Sequence, residues 1–324
     1  MINVRTDLAI EARDMYTKEN KRELDGVIVD EEKEGDIKIT TVTIESDEAG
    51  RELGKPKGNY ITIDFPEFTH YDGESMDNVS KVVDNVLSRL VNLPEEKTAL
   101  VVGLGNWNVT PDSLGPKVTE KIMVTRHLKQ VMPEAIDDSV RPVCCISPGV
   151  LGITGIETGE IIKSLVDKIK PDLVICIDAL GSRKLERVNR TIQISDTGIS
   201  PGAGVGNHRM KINEESLGVK VIAIGVPTVV HAATIANDTI DLVLDELISK
   251  AQKGKEFYNM LKSLDKVEKS QLIKEVLDPF VGDLMVTPKD VDAVIESLAK
   301  IIANGINMAV QPNLDMEDIN KFMN

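Results

Sequence analysis

Aromatic side chains make up only 3% of the 324 residues, with a single Trp, which leaves little from which to build the stacking platforms of single-strand nucleic-acid binders. Basic residues are also in deficit. Thirty-eight Lys and Arg stand against 53 Asp and Glu, a formal charge of −15, and a surface of that sign repels phosphate, which argues against a general DNA or RNA binder. The three cysteines are odd in number and two, Cys144 and Cys145, are adjacent, so no disulfide framework follows. His70, His127, His208 and His231 lack H-x-x-x-H spacing and no C-x-x-C is present, leaving a zinc site unsupported. No run reaches the roughly 18 apolar residues of a membrane span, and Asp7 and Glu11 fall where a signal peptide needs its apolar centre. The expectation is a cytoplasmic protein with no metal, no cofactor and no membrane contact.

What is present is ordinary globular composition, 41% hydrophobic and 28% charged, in a chain long enough for one large α/β domain with appendages. An acidic, turn-rich first part carries β-branched runs at Gly26 to Asp30, Asp36 to Ile44 and Tyr60 to Phe65, read as antiparallel strands or a hairpin-like layer. Met76, Val79, Val82, Val83, Val86, Leu87 and Leu90 then recur at helical spacing up to Leu93-Pro94. Beyond this, short continuous apolar runs alternate with helical stretches, the pattern of a parallel sheet covered on both faces. Strands are expected at Ala99 to Gly103, Val143 to Ile146, Leu173 to Asp178, Arg190 to Asp196 and Val219 to Gly225, with helices over Ser113 to Gln130, Ile156 to Ile169 and Val230 to Ser249. A polar stretch from Lys250 leads to expected helices at Lys266 to Leu277 and after a Thr287-Pro288 start. The fold class read from this is α/β, a mostly parallel sheet sandwiched by helices, with an N-terminal β-rich segment and a C-terminal helical tail.

Several motifs point to chemistry and fail on context. Gly103-Leu104-Gly105-Asn106-Trp107-Asn108 and Gly202-Ala203-Gly204-Val205-Gly206-Asn207 lack the third glycine of a dinucleotide fingerprint, and no phosphate-loop motif occurs. Gly198-Ile199-Ser200-Pro201-Gly202 matches the letters of a nucleophile elbow, yet more glycine-rich loop follows where a helix should start. Cys144, Cys145 and Cys176 sit in apolar strands without a basic neighbour, which favours core packing. Carboxylates at strand ends remain. Asp178 terminates the run Leu173 to Ile177, and Asp112 lies in the loop leaving the first core strand, 66 residues earlier. Both fall at the carboxyl edge of the sheet, where open α/β folds place their sites. Two close carboxylates do not both ionise cheaply, so such a pair can act as base and acid around a water. On pattern alone the plainer reading is favoured, Asp112 as a first-turn acid stabilised by the helix dipole and Asp178 as a cap.

Arg5-Thr6-Asp7-Leu8-Ala9-Ile10-Glu11, Val102-Gly103-Leu104-Gly105-Asn106, Val109 to Lys117 (VTPDSLGPK), Gly152 to Thr158 (GITGIET), Ile177-Asp178-Ala179-Leu180, Glu186-Arg187-Val188-Asn189, Ser200 to Asn207 (SPGAGVGN) and Leu284 to Lys289 (LMVTPK) resemble, in order and along nearly the whole chain, the spore germination proteases. The resemblance implies an endopeptidase that degrades small acid-soluble spore proteins in the germinating spore. It further implies an atypical aspartic-type mechanism on Asp112 and Asp178, synthesis as an autoprocessed zymogen, and a homotetramer. Thr6-Asp7-Leu8-Ala9 is similar to the acid, apolar residue, alanine pattern that this family cuts. A propeptide of residues 1–7, removed at the Asp7 to Leu8 bond in an exposed terminus, is therefore expected, followed by segments 8–94, 95–250 (the catalytic core) and 251–324. The core also resembles the hydrogenase maturation proteases, which bind nickel through two acids and a histidine. Here Gly202 stands at the histidine position, so no nickel-type site is expected unless His208 moves in. His231 stands where the germination family is expected to carry Asp. A metal-guided maturation protease and a non-catalytic peptide-binding protein are the alternatives.

Overall fold

The computed structural model describes residues 6–67, 72–200, 210–250 and 284–323. Its described part is organised on one sheet of β1 Val27–Glu34, β2 Ile37–Ile44, β3 Gly58–Asp64, β4 Ala99–Gly103, β5 Val143–Ile146, β6 Leu173–Ser182, β7 Thr191–Ser195, β8 Lys220–His231 and β9 Met285–Val286. The spatial order is β1-β2-β3-β7-β8-β6-β4-β5, with β9 beside the end of β8. Strands β8, β6, β4 and β5 are parallel. The pairs β1–β2, β2–β3, β3–β7, β7–β8 and β8–β9 are antiparallel.

The sheet is thus mixed, and the expectation of a mostly parallel one is corrected. The cause lies in the connections. β1, β2 and β3 are joined by a turn and by the short helix Asp47–Leu53, not by crossovers long enough to return the chain to the same end. β7 then runs back between β3 and β8, so the N-terminal strands continue the core sheet and do not form a layer beside it.

The two-residue side-chain period divides the core. One face carries Ile175, Ile177, Ile192, Ile194, Ile222 and Ile224, packed with Val83 and Leu87 of the helix Gly73–Val91 and Leu298 and Ile302 of the helix Val291–Val310. The latter helix is long and apolar enough to cross a membrane, but it is mostly buried inside the fold. The opposite face holds two smaller cores. Leu100, Val102, Val174, Cys176 and Val221 meet Ile162 and Val166 of the helix Thr158–Ile169. Val42, Ile44, Tyr60 and Leu180 meet Leu8, Ala9 and Ile10 at the start of the helix Ala9–Asn20 and Ala49 and Leu53 of Asp47–Leu53.

Several expected elements differ. The helix expected over Ser113 to Gln130 is two short helices, Leu114–Thr119 and Arg126–Val131, preceded by a 3-10 turn at Thr110–Asp112. Between them the Met123 amide donates to Asn307 Oδ1 (3.0 Å) and the Thr125 amide to the Val143 carbonyl (3.0 Å), so tertiary partners take the groups a helix would use. β6 and β8 extend past their expected ends, to Ser182 and His231. The helix expected after Thr287-Pro288 begins at Val291, and the Thr287 hydroxyl donates instead to the Thr228 carbonyl (2.9 Å); a further short helix, Met316–Met323, follows it. The expected helix Lys266 to Leu277 lies outside the described residues.

Candidate active site

β4 and β6 are adjacent and parallel, with Gly103 opposite Ile177, and the Leu104 amide donates to the Ile177 carbonyl at 2.8 Å. The chain leaving β4 then turns back over this pair. Gly105, at φ +112°, makes the return possible: a Cβ there would stand 2.0 Å from the Asp112 carbonyl oxygen, which accepts the Asn106 amide at 3.0 Å. The Asn108 amide donates to Asn106 Oδ1 (3.0 Å), and the Thr228 hydroxyl of β8 donates to the Pro111 carbonyl (2.7 Å). Below the loop the helix Leu114–Thr119 lies almost on the sheet. A Cβ on Gly115 would be 2.2 Å from the Leu104 carbonyl oxygen, and one on Gly103 2.2 Å from that of Gly115. Two facing glycines therefore set Asp112 over the β4–β6 seam.

Asp178 follows Val174 and Cys176 on the same face of β6, at the point where the apolar row gives way to open space. It is buried, and its Oδ1 accepts the Ala179 amide at 3.0 Å. Asp112 and Asp178, the two expected acids, line one cavity of about 750 Å³ between the two smaller cores. Its wall also includes Lys55, Gln193 and the N-terminal residues Thr6 and Asp7. Gly225 of β8 pairs with Asp178 on one side and with Gln193 of β7 on the other, so the acid and the amide look onto the same face two strands apart, about 10 Å between backbones.

The N-terminal segment is anchored, which corrects the expectation of an exposed terminus around the Asp7–Leu8 bond. Leu8 and Ala9 are fully buried. The Asp7 amide donates to the Gly181 carbonyl (3.1 Å), and the Gly181 amide donates to Asp7 Oδ2 (2.7 Å). Lys55 Nζ donates to the carbonyls of Thr6 (3.1 Å) and Asp7 (2.9 Å). Glu11 fixes the far end. This buried carboxylate accepts the Thr6 hydroxyl and the amides of Arg183 (2.7 Å) and Lys184 (3.0 Å). Burial lowers the Lys55 ammonium from the ordinary lysine value, while Asp7 and Glu11 pull it back up.

The remaining candidates divide. His231, at the end of β8, lines the cavity, as does Ser200. His127 is exposed, as a solvated residue should be. His70, Gly202 and His208 lie outside the described residues. No cluster of three or more His, Cys, Asp or Glu suited to a metal occurs among the described residues. Cys176 is fully buried, and burial raises its thiol far above the usual range, with Asp178 adding to the shift. Burial likewise raises Cys144 and Cys145. Sequence reasoning missed Lys55 and Gln193. The signal for Gln193 was the alternation Thr191-Ile192-Gln193-Ile194-Ser195 in a strand buried throughout, which sends three polar side chains inward. Lys55, in a turn between two glycine-bearing segments, offered none.

The family model described as germination protease matches residues 6–261 and 244–323. The chain belongs to the germination protease family. Within that family it is 70% identical to the germination protease of Clostridium perfringens strain 13, covering all of both chains. It is 60% identical to the germination protease of Clostridium tetani, again over all of both chains. The Bacillus cereus member is 43% identical, with 99% of this chain and 97% of the relative covered. Family membership makes it a peptidase, a hydrolase of peptide bonds. Among solved structures, a [NiFe] hydrogenase maturation protease, HycI from Thermococcus kodakarensis, matches at 21% identity and a TM-score of 0.28, over 44% of this chain and 80% of that one.

Proposed function

We propose that this germination protease is the endopeptidase that begins degradation of small acid-soluble spore proteins in the spore core, acting through Asp112 and Asp178. One observation carries the reading: both acids line the cavity that also receives Asp7. One carboxylate takes a proton from water as the oxygen attacks the substrate carbonyl carbon. The other, protonated, gives its proton to the leaving nitrogen as the C–N bond breaks. The chain is made as a zymogen that cuts itself between Asp7 and Leu8. Because Leu8 is buried and Asp7 faces the cavity, the cut is intramolecular. The enzyme works as a homotetramer, and the exposed apolar residues Trp107, Val109, Leu151, Ile153 and Ile156 offer surface for association.

The test is to incubate the protein with a small acid-soluble spore protein and to locate the cut bonds by mass. Cutting after acidic residues is expected, lost in Asp112→Asn and in Asp178→Asn, with the double variant no worse than either. Near-wild-type turnover in either single variant removes the pair. Dialysis against a strong chelator is expected to leave activity unchanged; loss restored by a divalent metal would favour metal-guided chemistry.

A further inference from the structure

The Asp7–Leu8 bond is held more closely than a tether needs. Lys55 Nζ and Gln193 Nε2 both donate to the Asp7 carbonyl oxygen, at 2.9 and 3.2 Å. On the other side of the bond, the Ala9 amide donates to Gln193 Oε1 at 2.7 Å. One buried side-chain amide thus spans the bond, gripping the carbonyl before it and the second amide after it. The turn carrying Lys55 is fixed independently. Its amide donates to the Gly50 carbonyl at 2.9 Å, and Gly54, at φ +64°, ends the preceding helix.

We infer that Lys55 and Gln193 bind and polarise the carbonyl of the bond to be cut, first on the protein's own Asp7 and then on its substrates. This rests on the reading that the Asp7–Leu8 bond is the processing site. As water adds to the Asp7 carbonyl carbon, the C=O electron pair moves onto oxygen, where the ammonium and the amide N–H already point. Collapse restores the C=O and breaks the C–N bond. The Leu8 nitrogen takes a proton, leaving an Asp7 carboxyl group and a Leu8 amine at the cost of one water.

Lys55 and Gln193 touch only backbone atoms of the segment, so the same grip fits any extended chain. The side chain is read separately, by the Gly181 amide on the Asp7 carboxylate. Removing the segment through Asp7 frees Lys55, the Nε2 of Gln193 and this amide within the cavity of Asp112 and Asp178, while Gln193 Oε1 keeps its bond from Ala9.

Self-processing of the full chain tests this, followed as the intact mass of the product beginning at Leu8, with thermal melts to show that each variant is folded. Lys55→Met is expected to slow the cut by about 100-fold, as loss of one carbonyl-stabilising donor does elsewhere. Lys55→Arg, which keeps a cationic donor, should restore most of the rate. Gln193→Glu keeps the acceptor for Ala9 but loses the donor to Asp7, and should slow the cut by about tenfold or more. If Lys55 merely ties the segment down, Lys55→Met will process at the wild-type rate or faster, and added trypsin will remove the terminus sooner. That result overturns the inference while leaving the processing site standing. A wild-type protein that never yields the Leu8 chain overturns both.

Discussion

Cys176 and Asp178 are two residues apart on one strand face and have opposite surroundings. Cys176 is enclosed by apolar side chains and its thiol is pushed far up by burial, so no thiolate is available for attack. Asp178 stands one step further along the same row, at the cavity. Cys176→Ala is therefore expected to retain peptidase turnover per folded molecule, at a cost of about 1 kcal/mol in stability for the lost packing. Steady-state rates with a urea melt check this, and a loss of turnover comparable to Asp178→Asn would place the thiol in the chemistry. At this scale the placement of Asp112 and Asp178 at one sheet edge was legible because strand-end carboxylates are local features. Lys55 and Gln193 were not, because what marks them is the company of residues 48 and 186 positions away.

The elements that carry the acids depend on close backbone approach. Gly115→Ala would put a methyl 2.2 Å from the Leu104 carbonyl oxygen, just past the end of β4, and 2.7 Å from that of Ile177 in β6, both backbone atoms. The helix Leu114–Thr119 must then lift, and Asp112 with it. A loss of about 1–3 kcal/mol is expected from the overpacking, together with a fall in turnover larger than the stability loss explains; unfolding curves and kinetics on one sample separate the two. Strands of the core were readable because their apolar runs are continuous. The break in the expected Ser113 to Gln130 helix was not, since it depends on Asn307 and Val143, which the local pattern does not contain. Arg141 is a similar case. It is fully buried and donates to the carbonyls of Leu93, Pro94, Lys97 and Val310, closing the ends of two helices far apart in sequence, and nothing around it in the chain announces the role.

Across the whole molecule, the helix Val291–Val310 braces the sheet edge that carries Asp112. Glu296 of Val291–Val310 pairs with Lys117 (3.0 Å) and Lys121 (2.5 Å), next to the helix that follows Asp112. The hydrogen bond from Lys121 is the largest influence and, with that from Lys117 and both their charges, holds its carboxyl below the usual value although burial, second in size, pushes it up. A carboxylate lowered in the folded state stabilises fully above its unfolded value, and that contribution is lost as pH falls through the folded one. Glu296→Gln should cost about 0.5 kcal/mol near pH 7, the pair being partly exposed, with the gap to wild type narrowing below about pH 4. Urea melts across that range check it, and a pH-independent gap would mean that packing, not charge, sets the effect. The mixed character of the sheet also belongs to this scale. Each strand from β1 to β3 was visible, but their partner β7 lies well over a hundred residues downstream, and which edge they would join was not written in their own residues.

The first strand has a consequence for how copies of the protein meet. β1 is an edge, and its sequence Asp30-Glu31-Glu32-Lys33-Glu34 is exposed. A second chain trying to extend the sheet there would lay its own row of acids against this one, with four carboxylates to a single ammonium on each side. The opposite edge, β5, is only four residues long. Among the described residues, neither of these two edges offers a long, uncharged template for a second chain to extend the sheet, which favours contacts between copies through other surfaces.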